Sequence, residues 1–211
     1  RRASGRDWPV YGETMIGLHR LDNLHQCIRD VLQRQVPGDL IETGVWRGGA
    51  TIFMRASLEA YGDTARRVWV ADSFAGLPRP DPAYAADTAN TLWNDPRLAA
   101  SLDQVKANFA RYGLLDERVR FLVGWFRDTL PKAPIEQLSI LRLDGDLYES
   151  TMDALRCLYP KLSIGGYIIV DDYGVEGLGC RRAVDEFRAE RDIRDPIEVI
   201  DWAGAFWQRS H

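Results

Sequence analysis

Cysteine and histidine are scarce, three of each in 211 residues. Cys27, Cys157 and Cys180 are odd in number, far apart and free of any CxxC pairing. Neither a disulfide framework nor a zinc ribbon is written into the chain, and a reducing cytoplasm is the expected compartment. All three fall on helical patterns and read as packing residues. His211 is terminal, and His19 and His25, six residues apart, do not share a helical face closely, so no histidine-based transition-metal site is expected. Positive charge is not in excess either: 27 basic against 31 acidic residues leave a net charge of −4. That excludes a nucleic-acid binder held mainly by phosphate contacts. No apolar run approaches the ~18 residues of a membrane-spanning helix, and there is no internal repeat. The numbering opens at Arg1 without an apolar leader core, so the first residues are expected to be the remnant of a longer N-terminal region.

What is present is an ordinary globular composition, 45% hydrophobic and 27% charged, long enough to bury a core in one large domain. Short runs rich in β-formers occur at 39–44, 68–72, 119–124, 138–144 and 166–171. Helical spacing lies between them: Leu21, Leu24, Ile28, Val31; Leu102, Val105, Phe109, Tyr112; Met152, Leu155, Tyr159, Leu162; Cys180, Val184, Phe187. Strand and helix in alternation predict an α/β fold, a doubly wound, mostly parallel sheet. The end breaks the rhythm. Residues 197–200 and 205–208, joined by Asp201-Trp202-Ala203-Gly204, predict an antiparallel hairpin. A seven-stranded sheet with a C-terminal antiparallel pair suggests a class I methyltransferase more than a dinucleotide dehydrogenase. Residues 78–97, with four of the ten prolines, predict a long loop, either a functional lid or disordered.

Glu42-Thr43-Gly44-Val45-Trp46-Arg47-Gly48-Gly49-Ala50-Thr51 follows the first strand and opens a helix. Gly44 permits the tight turn, while Gly48 and Gly49 are expected to clear space for a ligand. The helix N-terminus offers N–H groups suited to a carboxylate. The spacing is not the dinucleotide G-x-G-x-x-G. Asp72 ends the second strand, where an acid accepts hydrogen bonds from ribose hydroxyls. Turn, acid and terminal hairpin together suggest S-adenosylmethionine.

A second site lies at Asp144-Gly145-Asp146 and Asp171-Asp172, each pair closing a strand. Parallel strands put both ends at the sheet edge where ligands bind. A lone aspartate there is ordinarily a turn or cap residue. Asp144, Asp171 and Asp172 together would repel one another, a cost that a divalent cation removes. Oxygen ligation favours Mg²⁺, with Mn²⁺ or Ca²⁺ as alternatives. Asp146 is the extra acid suited to taking a proton. Trp125 and Phe126 either sandwich an adenine or fill the core. Met15 either touches a cofactor or packs. Arg142, inside a buried strand, requires a carboxylate partner that the sequence does not name.

The chain resembles the macrocin O-methyltransferase (TylF-type) family of antibiotic-tailoring enzymes. The matching words are GRDWP at 5–9, TMIGLHRLDNL at 14–24, GDLIETGVWRGGATIFMRA at 38–56, VWVADSFAGLP at 68–78, NFARYGLLD at 108–116, LRLDGDLYESTMDAL at 141–155, YPKLSIGGY at 159–167 and VDDYG at 170–174. The resemblance implies a class I S-adenosylmethionine fold with a helical lid near the N-terminus. It also implies a divalent metal on Asp144, Asp171 and Asp172 and a general base at Asp146. Thr14, Met15 and Ile16, Glu42, the glycine turn with Gly44, Gly48, Gly49 and Thr51, Asp72 and Ser73, and Gly124 with Trp125 are the implied cofactor contacts. Val10-Tyr11-Gly12-Glu13 departs from the family pattern, a departure confined to the lid.

The expected organisation is an N-terminal arm and first helix over 1–36, then a methyltransferase core over 37–211 carrying the substrate loop 78–97. The expected activity is S-adenosylmethionine- and Mg²⁺- (or Mn²⁺-) dependent methylation of a hydroxyl on a natural product, a deoxysugar of a macrolide or aminocoumarin first. A phenol or catechol acceptor, or a non-catalytic ligand-binding protein, are the alternatives. A small-molecule acceptor and a homodimer are the expected partners, with no nucleic acid or membrane.

Overall fold

A computed structural model describes residues 1–211. In chain order the elements are α1 (Gly17–Gln33), β1 (Asp39–Thr43), α2 (Gly49–Ala60), β2 (Val68–Asp72), α3 (Leu102–Arg111), β3 (Val119–Val123), α4 (Phe126–Thr129), β4 (Leu138–Leu143), α5 (Tyr148–Leu158), β5 (Leu162–Val170), α6 (Cys180–Glu190), β6 (Glu198–Val199) and β7 (Ala205–Gln208). The seven strands form one sheet in the order β3-β2-β1-β4-β5-β7-β6. The first five are parallel, and β7 runs antiparallel to both β5 and β6. The doubly wound sheet and its terminal hairpin are therefore as the sequence predicts. No helix is long and apolar enough to cross a membrane.

Strand alternation assigns each residue to one of two cores. Trp69, Ile41, Leu141, Ile168 and Trp207 lie opposite one another across the sheet. They pack with Leu155, Val184 and Phe187 from α5 and α6. The other face carries Leu40, Val70, Ile140 and Ile169 against Leu24, Ile28, Met54, Leu58 and Phe109 of α1, α2 and α3. β1 and β4 are covered on both faces. Glu42 and Arg142, directly opposite each other in those two strands, are their buried charged residues.

One expectation changes. The helical spacing that reaches Leu162 is broken by Pro160: α5 stops at Leu158, a 3-10 turn covers Tyr159–Lys161, and Leu162 opens β5 four residues earlier than its Gly-flanked apolar core suggests. Of the N-terminal arm and first helix over 1–36, the helix is α1 (Gly17–Gln33). Residues 1–16 run as turns and irregular chain up to α1. The arm is nevertheless tied down. Arg47 donates through Nη1 to the carbonyls of Pro9 (3.2 Å), Val10 (2.9 Å) and Gly12 (3.1 Å). Glu13 pairs with Arg111 at 2.9 Å and accepts from the Tyr112 hydroxyl at 3.1 Å.

Candidate active site

The parallel ladder continues one residue beyond the strands. The N–H of Gly44 donates to Ala71, that of Asp144 to Thr43, and that of Asp171 to Leu143, all at 2.8–2.9 Å. These bonds hold the ends of β1, β4 and β5 level at the carboxyl edge of the sheet. Period two then sends Glu42, Arg142, Asp144 and Asp171 to the face under α1. Gly44 fits between them because a Cβ there would strike the carbonyl of Asp144.

The partner that Arg142 requires is now identified as three acids. Its guanidinium, 1% exposed, pairs with Glu42 across β1, with Asp144 at 2.8 Å, and with Asp171 across β5. Arg20 of α1 approaches from above, holding the second oxygen of Asp171 at 2.5 Å and Asp201 of the hairpin at 3.2 Å. Asp144, Asp171 and Asp172 each present a carboxylate oxygen within 4.8 Å of the others. Asp146 joins them from the β4–α5 turn, where its backbone is left-handed (φ 56°).

Two guanidiniums do not balance this many acids. Withdrawal from water, with the charge of Asp144 next, pushes Asp146 up to about 7. Burial pushes Asp171 up to about 6 despite Arg142 and Arg20. Asp172 lies well above the usual carboxylate range, first through burial and then through the charge of Asp146. Burial pushes Glu42 up to about 8 even with Arg142 beside it. Glu42 Oε2 is buried and has no hydrogen-bond partner. An all-oxygen donor set with surplus negative charge fits a hard dication.

These acids form the floor of a cavity of about 480 Å³. Thr14, Met15 and Ile16 of the arm, Glu42, Gly44, Asp72 and Ser73, and Gly124, Trp125 and Phe126 all line it, as do Asp144, Asp146, Asp171 and Asp172. Gly48, Gly49 and Thr51 do not. A Cβ on Gly48 would lie 2.8 Å from Val105, and one on Gly49 would lie 2.5 Å from the carbonyl carbon of Glu13. Thr51 is fully buried and donates to the carbonyl of Gly48 at 2.8 Å. The two glycines therefore make room for the protein's own arm and for α3. The N–H of Gly49 is already taken by the carbonyl of Glu13 at 2.9 Å. Asp72 is similarly engaged: it accepts from the N–H of Val45 and of Phe74, both at 2.7 Å, and so braces the glycine turn. Its pKa is raised because burial outweighs those bonds.

Several cavity residues carry no sequence signal of their own, beyond the position of two of them in the loop 78–97. Trp202, from the hairpin tip, reaches the acid end of the cavity and donates through Nε1 to the carbonyl of Ser4 at 2.7 Å. Asn90 and Leu92 of the long loop form a wall. Arg20 reads as one more polar residue of an amphipathic helix, and only the tertiary contact reveals its ion pairs.

The profile of the macrocin-O-methyltransferase (TylF) family matches residues 1–209. An 8-demethyl-8-(2,3-dimethoxy-alpha-L-rhamnosyl)-tetracenomycin-C 4'-O-methyltransferase of Streptomyces olivaceus is 57% identical over 99% of this chain and 80% of its own length. The demethyldecarbamoylnovobiocin O-methyltransferase of Streptomyces niveus is 56% identical over the same shares. The solved structure of the O-methyltransferase NovP superposes with a TM-score of 0.97 at 55% identity, covering 100% of this chain and 87% of that one. The calicheamicin methyltransferase CalS11, at 19% identity and a TM-score of 0.70, shares the fold across 97% of this chain and 88% of its own. With a family match over nearly every residue and relatives this similar, the chain belongs to the macrocin O-methyltransferase (TylF) family of methyltransferases.

Proposed function

We propose that this protein is an S-adenosylmethionine- and divalent-metal-dependent O-methyltransferase acting on a hydroxyl of a natural product, a deoxysugar hydroxyl foremost. The observation that carries the reading is the convergence of the Asp144, Asp171 and Asp172 carboxylates, with Asp146 beside them, on the floor of one cavity. The acceptor class is supported by relatives named for methylating a rhamnosyl tetracenomycin and a mycinamicin at its 3'' position.

Asp144, Asp171 and Asp172 are the residues to hold Mg²⁺ or Mn²⁺. Thr14, Met15 and Ile16, Glu42, Asp72 and Ser73, and the Gly124–Phe126 segment are those to hold S-adenosylmethionine, and the free Oε2 of Glu42 is a spare acceptor for an ammonium donor. When bound, S-adenosylmethionine supplies an electrophilic methyl group, and the dication lowers the pKa of the acceptor hydroxyl. The chain supplies the rest. Arg142 and Arg20 fix the orientation of Asp171, and Arg142 fixes that of Asp144. Asp146 takes the hydroxyl proton, and its raised pKa makes it a stronger base than an exposed aspartate. The arm over the cavity excludes water that would compete for the methyl group.

The test is mass spectrometry with S-adenosylmethionine and Mg²⁺ on a panel of hydroxylated glycosides and catechols. The expected result is the gain of one CH₂ on a glycoside, abolished by EDTA and by Asp144→Ala. Methylation that persists at full rate through both treatments removes the metal from the reading, and product from the catechols alone replaces the acceptor class.

A further inference from the structure

Residues 78–97 connect β2 to α3 without a helix longer than a 3-10 turn, yet two polar residues of this largely exposed loop, Asp87 and Asn90, are buried. Asp87 is 1% exposed. Its Oδ1 accepts from the N–H of Tyr148 at 2.7 Å and its Oδ2 from the N–H of Glu149 at 3.0 Å. These are the first two residues of α5, a helix whose own N-cap, Leu147, provides no side-chain cap. The cap thus comes from a separate segment, across 61 residues of sequence. Tyr84 strengthens the join, its ring 5.7 Å from that of Tyr148.

Three segments of the candidate active site meet at this carboxylate. The turn that α5 continues holds Asp144 and Asp146, the latter in a left-handed conformation that side chains rarely adopt. Asn90 and Leu92, a few residues after Asp87, form a cavity wall. Gly179 lies against Asp87 on the third side, and a Cβ there would meet Oδ1 and would lie 2.5 Å from the nitrogen of Tyr148. The next residue, Cys180, donates its N–H to the carbonyl of Asp146 at 3.1 Å and its thiol to that of Asp172 at 3.1 Å.

We propose that Asp87 is a positioning residue that locks the acceptor-side loop to the turn bearing Asp146, so that ordering of the loop wall and orientation of the proton-accepting carboxylate are one event. Asp87 reaches neither Asp146 nor the cavity itself and acts through the start of α5. The role in catalysis rests on the O-methyltransferase reading above, whereas the structural coupling does not.

Hydrogen exchange on the whole ligand-free chain tests the coupling without any turnover. Asp87→Ala is expected to speed exchange about tenfold, both in 84–92 and in 144–150, the scale of a lost helix cap. Asp87→Asn, which keeps the shape and one acceptor, is expected to fall between the wild-type chain and Asp87→Ala and carries the test if the alanine variant does not fold. Faster exchange confined to 147–150 would make Asp87 a simple helix cap and overturn the proposal, as would faster exchange in the loop alone. In the methylation assay, Asp87→Ala is expected to lower kcat and raise the acceptor KM by about tenfold each while the Kd for S-adenosylmethionine from calorimetry stays within about twofold. A lower Tm with both kinetic constants unchanged would also overturn it. A wild-type chain that methylates nothing in the panel would defeat the functional reading while leaving the exchange result to decide the coupling.

Discussion

The two halves of the cavity floor are built on opposite plans. At the glycine turn after β1 the protein satisfies itself: Asp72 takes the N–H groups of Val45 and Phe74, the arm takes the N–H of Gly49, and the space beside Gly49 is filled by Glu13. At the ends of β4 and β5 it does not. Arg142 and Arg20 face a larger set of carboxylates, and Asp146, Asp171 and Asp172 are held above their ordinary range. A glycine motif can be explained by packing within the chain, whereas an acid cluster left electrostatically short points to a cation from outside. The difference separates a half whose mutations act through fit from a half whose mutations act through charge.

Removing a charge on the open half is expected to have the largest effect. Asp144→Ala or Asp171→Ala is expected to cut kcat by two orders of magnitude or more, about 3 kcal/mol in the barrier, with the cofactor Kd little changed. Steady-state kinetics with isothermal calorimetry checks the split. Arg142→Leu would leave Glu42, Asp144 and Asp171 without their shared cation and is expected to cost about 3 kcal/mol of stability, read by urea unfolding.

The same half predicts a pH effect. Its carboxyls bind protons more tightly folded than unfolded, so the metal-free protein loses stability as pH rises above the ordinary carboxylate value of about 4 and until it passes about 8, the value for Glu42. Protons and metal compete for the same oxygens, so the rise in Tm on adding Mn²⁺ is expected to be larger at pH 8 than at pH 5, measured by scanning calorimetry at constant ionic strength. An equal rise at both would erase the contrast between the halves.

On the closed half the effects are smaller and steric. Gly49→Ala drives a methyl group into Glu13 and is expected to weaken cofactor binding about tenfold by displacing the arm, without changing metal affinity. Arg47→Ala removes donors to three carbonyls and is expected to raise the cofactor Kd by severalfold, about 1 kcal/mol. Calorimetric titration reads both.

The sheet was legible in the sequence because buried parallel strands, Gly and Asp punctuation and helical spacing are local signals, and so was the convergence of Asp144, Asp171 and Asp172, which follows from two neighbouring parallel strands ending at the same edge of the sheet. Pro160 is the local feature that ends α5 early, although the apolar spacing runs on to Leu162. What was not legible depends on contacts distant in sequence. Nothing around Gly49 indicates that its neighbour is Glu13, nothing in the amphipathic pattern of α1 marks Arg20 as the partner of Asp171, and nothing in a proline-rich loop marks Asp87 as the cap of a helix 61 residues on. Glycine in a turn signals only the need for space, and what fills that space is a tertiary fact.

An anomalous difference map from crystals grown with Mn²⁺ would show whether the acid cluster holds a dication. One peak is expected, between the carboxylate oxygens of Asp144, Asp171 and Asp172, with Arg142 still paired to Asp144 and Asp171. A map with no peak there at saturating Mn²⁺, the three side chains held by Arg142 and Arg20 alone, would contradict that expectation.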